Sequence, residues 1–260
     1  MKVLSFGEVL WDIIEGEEYL GGAPFNLASH LAQMGVESAM VSAVGNDERG
    51  QKVLEEAKKN GVDTEYIVVD GKAATGTIEV ELDEHGAPSY HIGENSAWDN
   101  IMLGDEQIGT LASVHWDAFT FGTLAQRTEN NRKVLRRLIE TVNPEERFFD
   151  VNLRLNFYDA EVLRELLELT TMLKLNDEEV PEVSRLLYGD VYEGRSFADK
   201  MKEDWSIHTT CITRGKHGAS VYRGGDHFHI PVVKVSVADT VGAGLTFVLA
   251  AAIVVLIGAL

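Results

Sequence analysis

Two short stretches of the chain carry residue types suited to small ligands rich in oxygen or negative charge. The first is Gly21-Gly22-Ala23-Pro24-Phe25-Asn26, which follows a loop bearing Asp12 and enters a helix. Paired glycines let a backbone approach a ligand closely, and Asn26 offers hydroxyl groups both a donor and an acceptor. The same residues also suit a tight turn with Asn26 as a helix cap, so local chemistry leaves both readings open. The second stretch is Asp239-Thr240-Val241-Gly242-Ala243-Gly244, followed at once by apolar residues from Leu245. Small residues at a helix N-terminus leave backbone N–H groups aimed at one point, where the helix dipole favours negative charge. That is an anion hole for a phosphoryl group, with a plain glycine-rich connection as the alternative. A dinucleotide fingerprint fits poorly because no third glycine follows at the required spacing, and a P-loop fails for want of Gly-Lys-Ser/Thr.

The elements that must hold these loops follow from hydrophobic spacing. Val3 to Gly7 is an apolar run without helical period, and Leu27, Leu31 and Met34 then share one face before Gly35 ends the pattern. Ser38 to Val44, Val114 to Phe121, Arg147 to Val151, Met172 to Leu175 and Thr210 to Thr213 read as strands. Gln51 to Asn60, Asn130 to Thr141, Ala160 to Leu169 behind an Asp159 cap, and a segment from Asp177 read as helices. This alternation predicts an α/β fold with a mostly parallel sheet covered by helices on both faces. Two stretches interrupt it. Gly76 to Leu82 returns through Pro88 to Ile92 across Asp83-Glu84-His85-Gly86, and Ala219 to Ile230 turns at Gly224-Gly225, so both read as hairpins. The first is best placed as a small β lid over the end of the sheet, where open α/β folds hold ligands.

Composition narrows the function classes. A chain of 260 residues, 45% hydrophobic, can bury one substantial core, so residues 1–260 read as a single domain. A formal net charge of −19 repels nucleic acid and anionic membrane surfaces. The single cysteine, Cys211, excludes an internal disulfide, and with no secretory leader the expectation is a cytoplasmic protein. Phe247 to Leu260 is apolar, but its fourteen residues suit a buried helix better than a membrane span. His115, His208 and His217 are scattered, and His227 with His229 reads as a surface pair rather than a metal site.

Taken in this order and at this separation, the two glycine motifs resemble those of the PfkB/ribokinase family of carbohydrate kinases, in the wording of its fructokinase branch. The resemblance covers nearly the whole chain. It implies a ribokinase-like fold, a sugar substrate, ATP and magnesium, with lid segments near residues 9–21 and 72–98. Gly-Glu-Val-Leu at residues 7–10 with Asp12 is similar to the family's opening strand and sugar-contacting aspartate, and Gly22 and Asn26 match residues that hold sugar hydroxyls. Ala74-Thr75-Gly76 matches the lid entry. Asp150-Val151-Asn152-Leu153-Arg154 resembles an Asp-x-Asn-x-Arg motif whose arginine, here Arg154, reaches the substrate. Asn176-Asp177-Glu178-Glu179 matches the family's Asn-x-x-Glu, which implies Glu179 as the acid that organises magnesium; a solvated helix start is the alternative. Thr213, Gly215 and Gly218, with Asn176, are implied at the ATP side, where Lys216 is either an added charge or an ordinary surface lysine. Gly242, Ala243 and Gly244 are implied as the anion hole, with Asp239 leading into it. Tyr90 and Trp98 flank the lid and either touch substrate or pack it. The family also implies a homodimer formed through the lids.

Two departures bear on activity. The family places an aspartate directly after Gly-Ala-Gly to take the proton from the attacking sugar hydroxyl, and this chain has Leu245 there. A positioned general base is typically worth roughly 10²–10⁴ in rate. The chain also ends sixteen residues after Gly244, where family members continue with helices that close the adenine pocket, so that part of the family fold is expected to be missing. Three readings follow: a sugar kinase impaired by Leu245, a non-catalytic member that binds sugar or nucleotide, and a nucleoside kinase. Gly-Gly-Ala-Pro and Asp-Val-Asn-Leu-Arg rank the last one lowest.

Overall fold

The computed structural model describes residues 1–82 and 88–231. Asp239, the Gly242-Ala243-Gly244 motif, Leu245, the apolar segment from Phe247 and the turn at residues 83–86 lie outside the described residues, as does the Tyr90 side chain.

The chain opens with β1 (Lys2–Phe6), β2 (Leu10–Ile14), β3 (Glu17–Gly21) and α1 (Ala23–Gln33). It continues through β4 (Glu37–Gly45), α2 (Glu48–Lys59), β5 (Val62–Asp63), β6 (Ile67–Asp70), β7 (Gly76–Leu82) and β8 (Pro88–Ile92). After a short 3-10 helix at Ala97–Asn100 come α3 (Asp105–Ala112), β9 (Ala118–Gly122), α4 (Glu129–Val142), β10 (Glu146–Asp150), α5 (Ala160–Glu168) and β11 (Met172–Asn176). The described part closes with α6 (Glu179–Tyr188), α7 (Gly194–Trp205), β12 (Thr209–Thr213), β13 (Ala219–Arg223) and β14 (Asp226–Ile230).

The main sheet runs β14-β13-β12-β11-β10-β9-β1-β4-β5, with β6 also paired to β4. From β12 to β5 every pairing is parallel; among the described residues only β13 and β14 pair antiparallel in this sheet. Strand β1 sits mid-sheet, and its residues show why both faces are covered. Val3 packs with Leu27 and Leu31 of α1, Ala118, Phe148 and Met172, whereas Leu4 and Phe6 join the larger core formed with α3 to α7. A central parallel strand buried on both faces requires such an unbroken apolar run. The predicted α/β class and both hairpins are present.

Several boundaries move. Asn26 is no cap: Gly22 occupies that position and Asn26 lies in the first turn of α1, because the Gly22 backbone has a φ of 106° and Pro24 suits the start of a helix. The strand read from Val114 begins only at Ala118, since Trp116 turns its indole N–H back to the Leu111 carbonyl and holds that stretch at the end of α3. The stretch bearing Asp12, read as a loop, is the hairpin β2–β3. Leu10 and Trp11 are both buried, on opposite faces, and this masks the period-two pattern.

A second, four-stranded sheet has the order β3-β2-β7-β8. Its root is tied to the main sheet at Asp47. This carboxylate caps α2 by accepting from the Gly50 N–H at 2.8 Å, and it accepts from Thr75 through both N–H (2.8 Å) and Oγ1 (2.7 Å). Burial opposes ionisation of Asp47, but the bonds from Thr75 and Gly50 outweigh it and hold its carboxyl below the ordinary range. A carboxylate of this kind stabilises the fold above its unfolded-state pKa and loses that contribution as pH falls through the folded value. Asp47→Ala is therefore expected to cost about 2 kcal/mol in urea unfolding at pH 7, and the deficit should shrink below about pH 4.

Candidate active site

All the parallel strands of the main sheet end on one edge, and the loops leaving that edge carry the candidate residues. The chain runs from β1 outward to β4 and β5, then resumes at β9 on the other side of β1 and continues to β12. Strand order thus reverses between β1 and β9, and in open α/β sheets the crevice outside such a switch point is where ligands bind. The small sheet enters the chain directly after β1, which brings Asp12 to the same place.

Close approach of backbone requires the glycine at position 22, just after β3, and Gly21 leaves room for the Asp12 side chain. A Cβ on Gly22 would lie 2.5 Å from the Glu8 carbonyl oxygen, and one on Gly21 would collide with the Asp12 carboxylate. Asp12 is thereby packed against bare backbone. Burial pushes its carboxyl up to about 6, partly relieved by the positive charge of Arg154. Glu8, not singled out from the sequence, is almost wholly buried, and burial pushes it up to about 7. The N–H groups of Glu8 itself and of Ala23 and the charge of Arg154 work against that rise, while Asp150 adds to it. Oε2 of Glu8 has no hydrogen-bond partner among the described residues.

Past β10, the loop bearing Asn152 and Arg154 is bent by left-handed backbone at Asn152 (φ 39°) and Leu155 (φ 49°). At its root Asp150 accepts from Lys174 Nζ of β11 at 2.7 Å, and both side chains are nearly buried. Burial alone would depress Lys174; the charge of Asp150 outweighs it and holds the ammonium above its ordinary value. Glu179 ties the neighbouring loops together, Oε1 accepting from the Leu153 N–H at 2.9 Å and Oε2 from the Asn176 N–H at 2.8 Å. Asn176 Oδ1 in turn accepts from the N–H groups of Glu178 and Glu179, so the Asn-x-x-Glu spacing closes a ring at the start of α6. Glu179 is thus buried, not a solvated helix start, and burial raises its carboxyl against the opposing charge of Lys174. One buried carboxylate with unused lone pairs on both oxygens fits magnesium, which usually takes few protein ligands and keeps several waters.

After β12, Thr213 is buried with Oγ1 donating to the Leu175 carbonyl, and Gly215 and Gly218 both have positive φ. A Cβ on Gly218 would collide with the Ile230 carbonyl, so that glycine is needed for the turn into β13. Lys216 is exposed. Trp98 is buried among Leu10, Ile78, Ile92 and Leu124, which makes it packing beneath the small sheet. His227 and His229 sit on the exposed strand β14, His227 stacked on Tyr222. The one grouping of three potential metal ligands among the described residues, His115, Asp117 and Glu145, lies near the opposite edge of the sheet and is largely exposed. Asp12, Gly22, Arg154, Asn176, Glu179 and Thr213 therefore share one edge. Glu8 and Lys174 went unnoticed, although a lysine inside Met172-Leu173-Lys174-Leu175 is a signal of a buried, paired charge.

A model of the pfkB family of carbohydrate kinases matches residues 2–256. The chain belongs to this family of carbohydrate kinases. It is 29% identical to a sugar kinase of Pyrococcus horikoshii, over 95% of this chain and 80% of that protein, and 27% identical to a fructokinase of Klebsiella pneumoniae, over 95% and 82%. The crystal structure of an uncharacterized sugar kinase from P. horikoshii superposes with a TM-score of 0.82 at 29% identity, covering 98% of this chain and 84% of that one. A fructokinase from Xylella fastidiosa with bound ATP has a TM-score of 0.80 at 23% identity, covering 95% and 79%, and shows the shared fold.

Two measurements probe the electrostatics of this candidate site. Because Glu8 holds its proton up to about 7 when folded and only to about 4.5 when unfolded, its contribution is lost as pH rises between those values. Glu8→Gln should thus gain stability relative to the parent across that interval, by on the order of 3 kcal/mol at most, in urea unfolding at pH 5 and pH 8. Lys174→Met leaves Asp150 buried and unpaired and should cost about 3–5 kcal/mol, with much of the loss recovered when Asp150→Asn is added.

Proposed function

We propose that this kinase transfers the terminal phosphoryl group of ATP to a hydroxyl of a ketohexose or a closely similar sugar. The observation that carries this reading is the gathering of Asp12, Gly22 and Arg154 with Asn176 and Glu179 at the switch-point edge, beside the small sheet. Asp12, Gly22, Asn26 and Arg154 bind the sugar, Asp12 accepting from hydroxyls and Arg154 donating to oxygens. The small sheet is the lid that excludes water from the reacting groups. Asn176, Thr213, Gly215 and Gly218 form the nucleotide side. Magnesium, when bound, neutralises phosphate charge, and Glu179 holds its waters. Gly242, Ala243 and Gly244, with Asp239 before them, supply backbone N–H groups to the transferred phosphoryl group. Fructokinase relatives at 25–28% identity support the sugar class, and the ATP complex of the P. horikoshii sugar kinase, at 28% identity, supports the donor. A cytoplasmic location and a homodimer joined through the lids accompany this reading.

Leu245 favours a second reading, in which the chain is a non-catalytic member that binds sugar or nucleotide without turnover. Phosphoryl transfer depends heavily on positioning and charge, so binding survives the loss of the base. The deciding experiment assays ATP- and magnesium-dependent phosphorylation of fructose and a small sugar panel by the parent and by Leu245→Asp. Activity raised roughly 10²–10⁴-fold by the aspartate is the expected result. Equal activity in both proteins refutes the assignment of position 245. A fructose-dependent rise in Tm without turnover in either supports the binding-only reading, and stabilisation by a nucleoside but no hexose refutes the sugar class.

A further inference from the structure

Arg127 follows β9, whose end flanks β1 at the switch point. Its guanidinium grips both oxygens of Asp99, Nε to Oδ1 and Nη2 to Oδ2, each at 2.6 Å, and Nη2 also donates to the Gly93 carbonyl at 2.6 Å. Two aromatic rings flank it, with Cζ 4.3 Å from the Trp98 centroid and 4.6 Å from that of Phe157. Nη1 is buried and has no hydrogen-bond partner among the described residues. These contacts belong to different parts of the molecule. Gly93 follows β8 at the root of the small sheet, and Trp98 and Asp99 lie in the 3-10 helix, where the Ala97 N–H bonds the Ala74 carbonyl at the entry to β7. Phe157 belongs to the loop after β10, and its N–H donates to the Arg154 carbonyl at 3.2 Å. A nearly buried two-pronged ion pair adds little net stability but defines geometry tightly.

We propose that Arg127 is a positioning residue for sugar binding, fixing the small sheet and the Arg154 loop at one separation so that Asp12 and Arg154 face the same sugar. This rests on the reading of Asp12 and Arg154 as sugar contacts. Arg127→Lys in the full chain keeps the charge and loses the planar fork and its stacking. The expected result is fructose affinity about tenfold weaker by calorimetry, ATP affinity within about twofold of the parent, and faster amide exchange in residues 93–99 and 152–158 together. Sugar and ATP affinities that fall in parallel, or faster exchange confined to the neighbourhood of Asp99, would overturn it. If the parent binds no sugar of the panel, the functional reading fails by itself and the exchange pattern still decides the role of Arg127. Asp99→Asn, which keeps the shape and removes the charge, repeats both measurements should the lysine variant not fold.

Discussion

The Lys174–Asp150 ion pair is the interaction on which the candidate site depends. Burying two charges is costly, and their mutual attraction repays it only at close range with good geometry, as at the 2.7 Å seen here. The pair fixes the end of β10 against β11, two residues before β11 ends, and so sets the origin of the loops that carry Arg154 and Glu179. It also balances an acidic neighbourhood. Glu8, Asp12, Asp150 and Glu179 approach the same edge, with Lys174 and Arg154 opposing them, and burial raises the Glu8 carboxyl to about 7.

Around that edge, the backbone is held by local hydrogen-bond rings rather than by long side chains. Asn176 and Glu179 close the start of α6, and Asp47 with Thr75 closes the root of the small sheet. Gly21 and Gly22 bring the end of β3 within contact of Asp12 and Glu8, and at Gly22 any side chain would meet the Glu8 backbone. A family of kinases that must place two substrates and exclude water needs such preorganisation, because positioning is a large part of what phosphoryl transfer requires from a protein.

Strands β1, β4 and β9 to β12 were legible in the sequence because each is a short apolar run between turn residues, and the β7–β8 and β13–β14 hairpins announced themselves through alternation and glycine turns. Asp12, Gly22, Arg154 and Glu179 were singled out through motif wording, and the structure brings them to one edge of the sheet. Helices α3 and α7 and the short strands β5 and β6 were not read, and the charged residues that escaped take their meaning from non-local partners. Glu8 reads as one polar residue in an apolar stretch, and only the tertiary packing of α1 against β1 makes it buried. Lys174 acquires its meaning from Asp150, 24 residues earlier, and Arg127 from Asp99, 28 residues earlier. The β2–β3 hairpin was missed because Leu10 and Trp11 are buried on opposite faces, one toward Trp98 and the other toward Phe25.

The most direct test of the site is a crystal structure of the protein with fructose and a non-hydrolysable ATP analogue. The account predicts sugar density bounded by Asp12, Gly22, Asn26 and Arg154, with the triphosphate directed toward Asn176 and Glu179. Fructose bound elsewhere, or an empty crevice between β1 and β9 under saturating sugar, would contradict it.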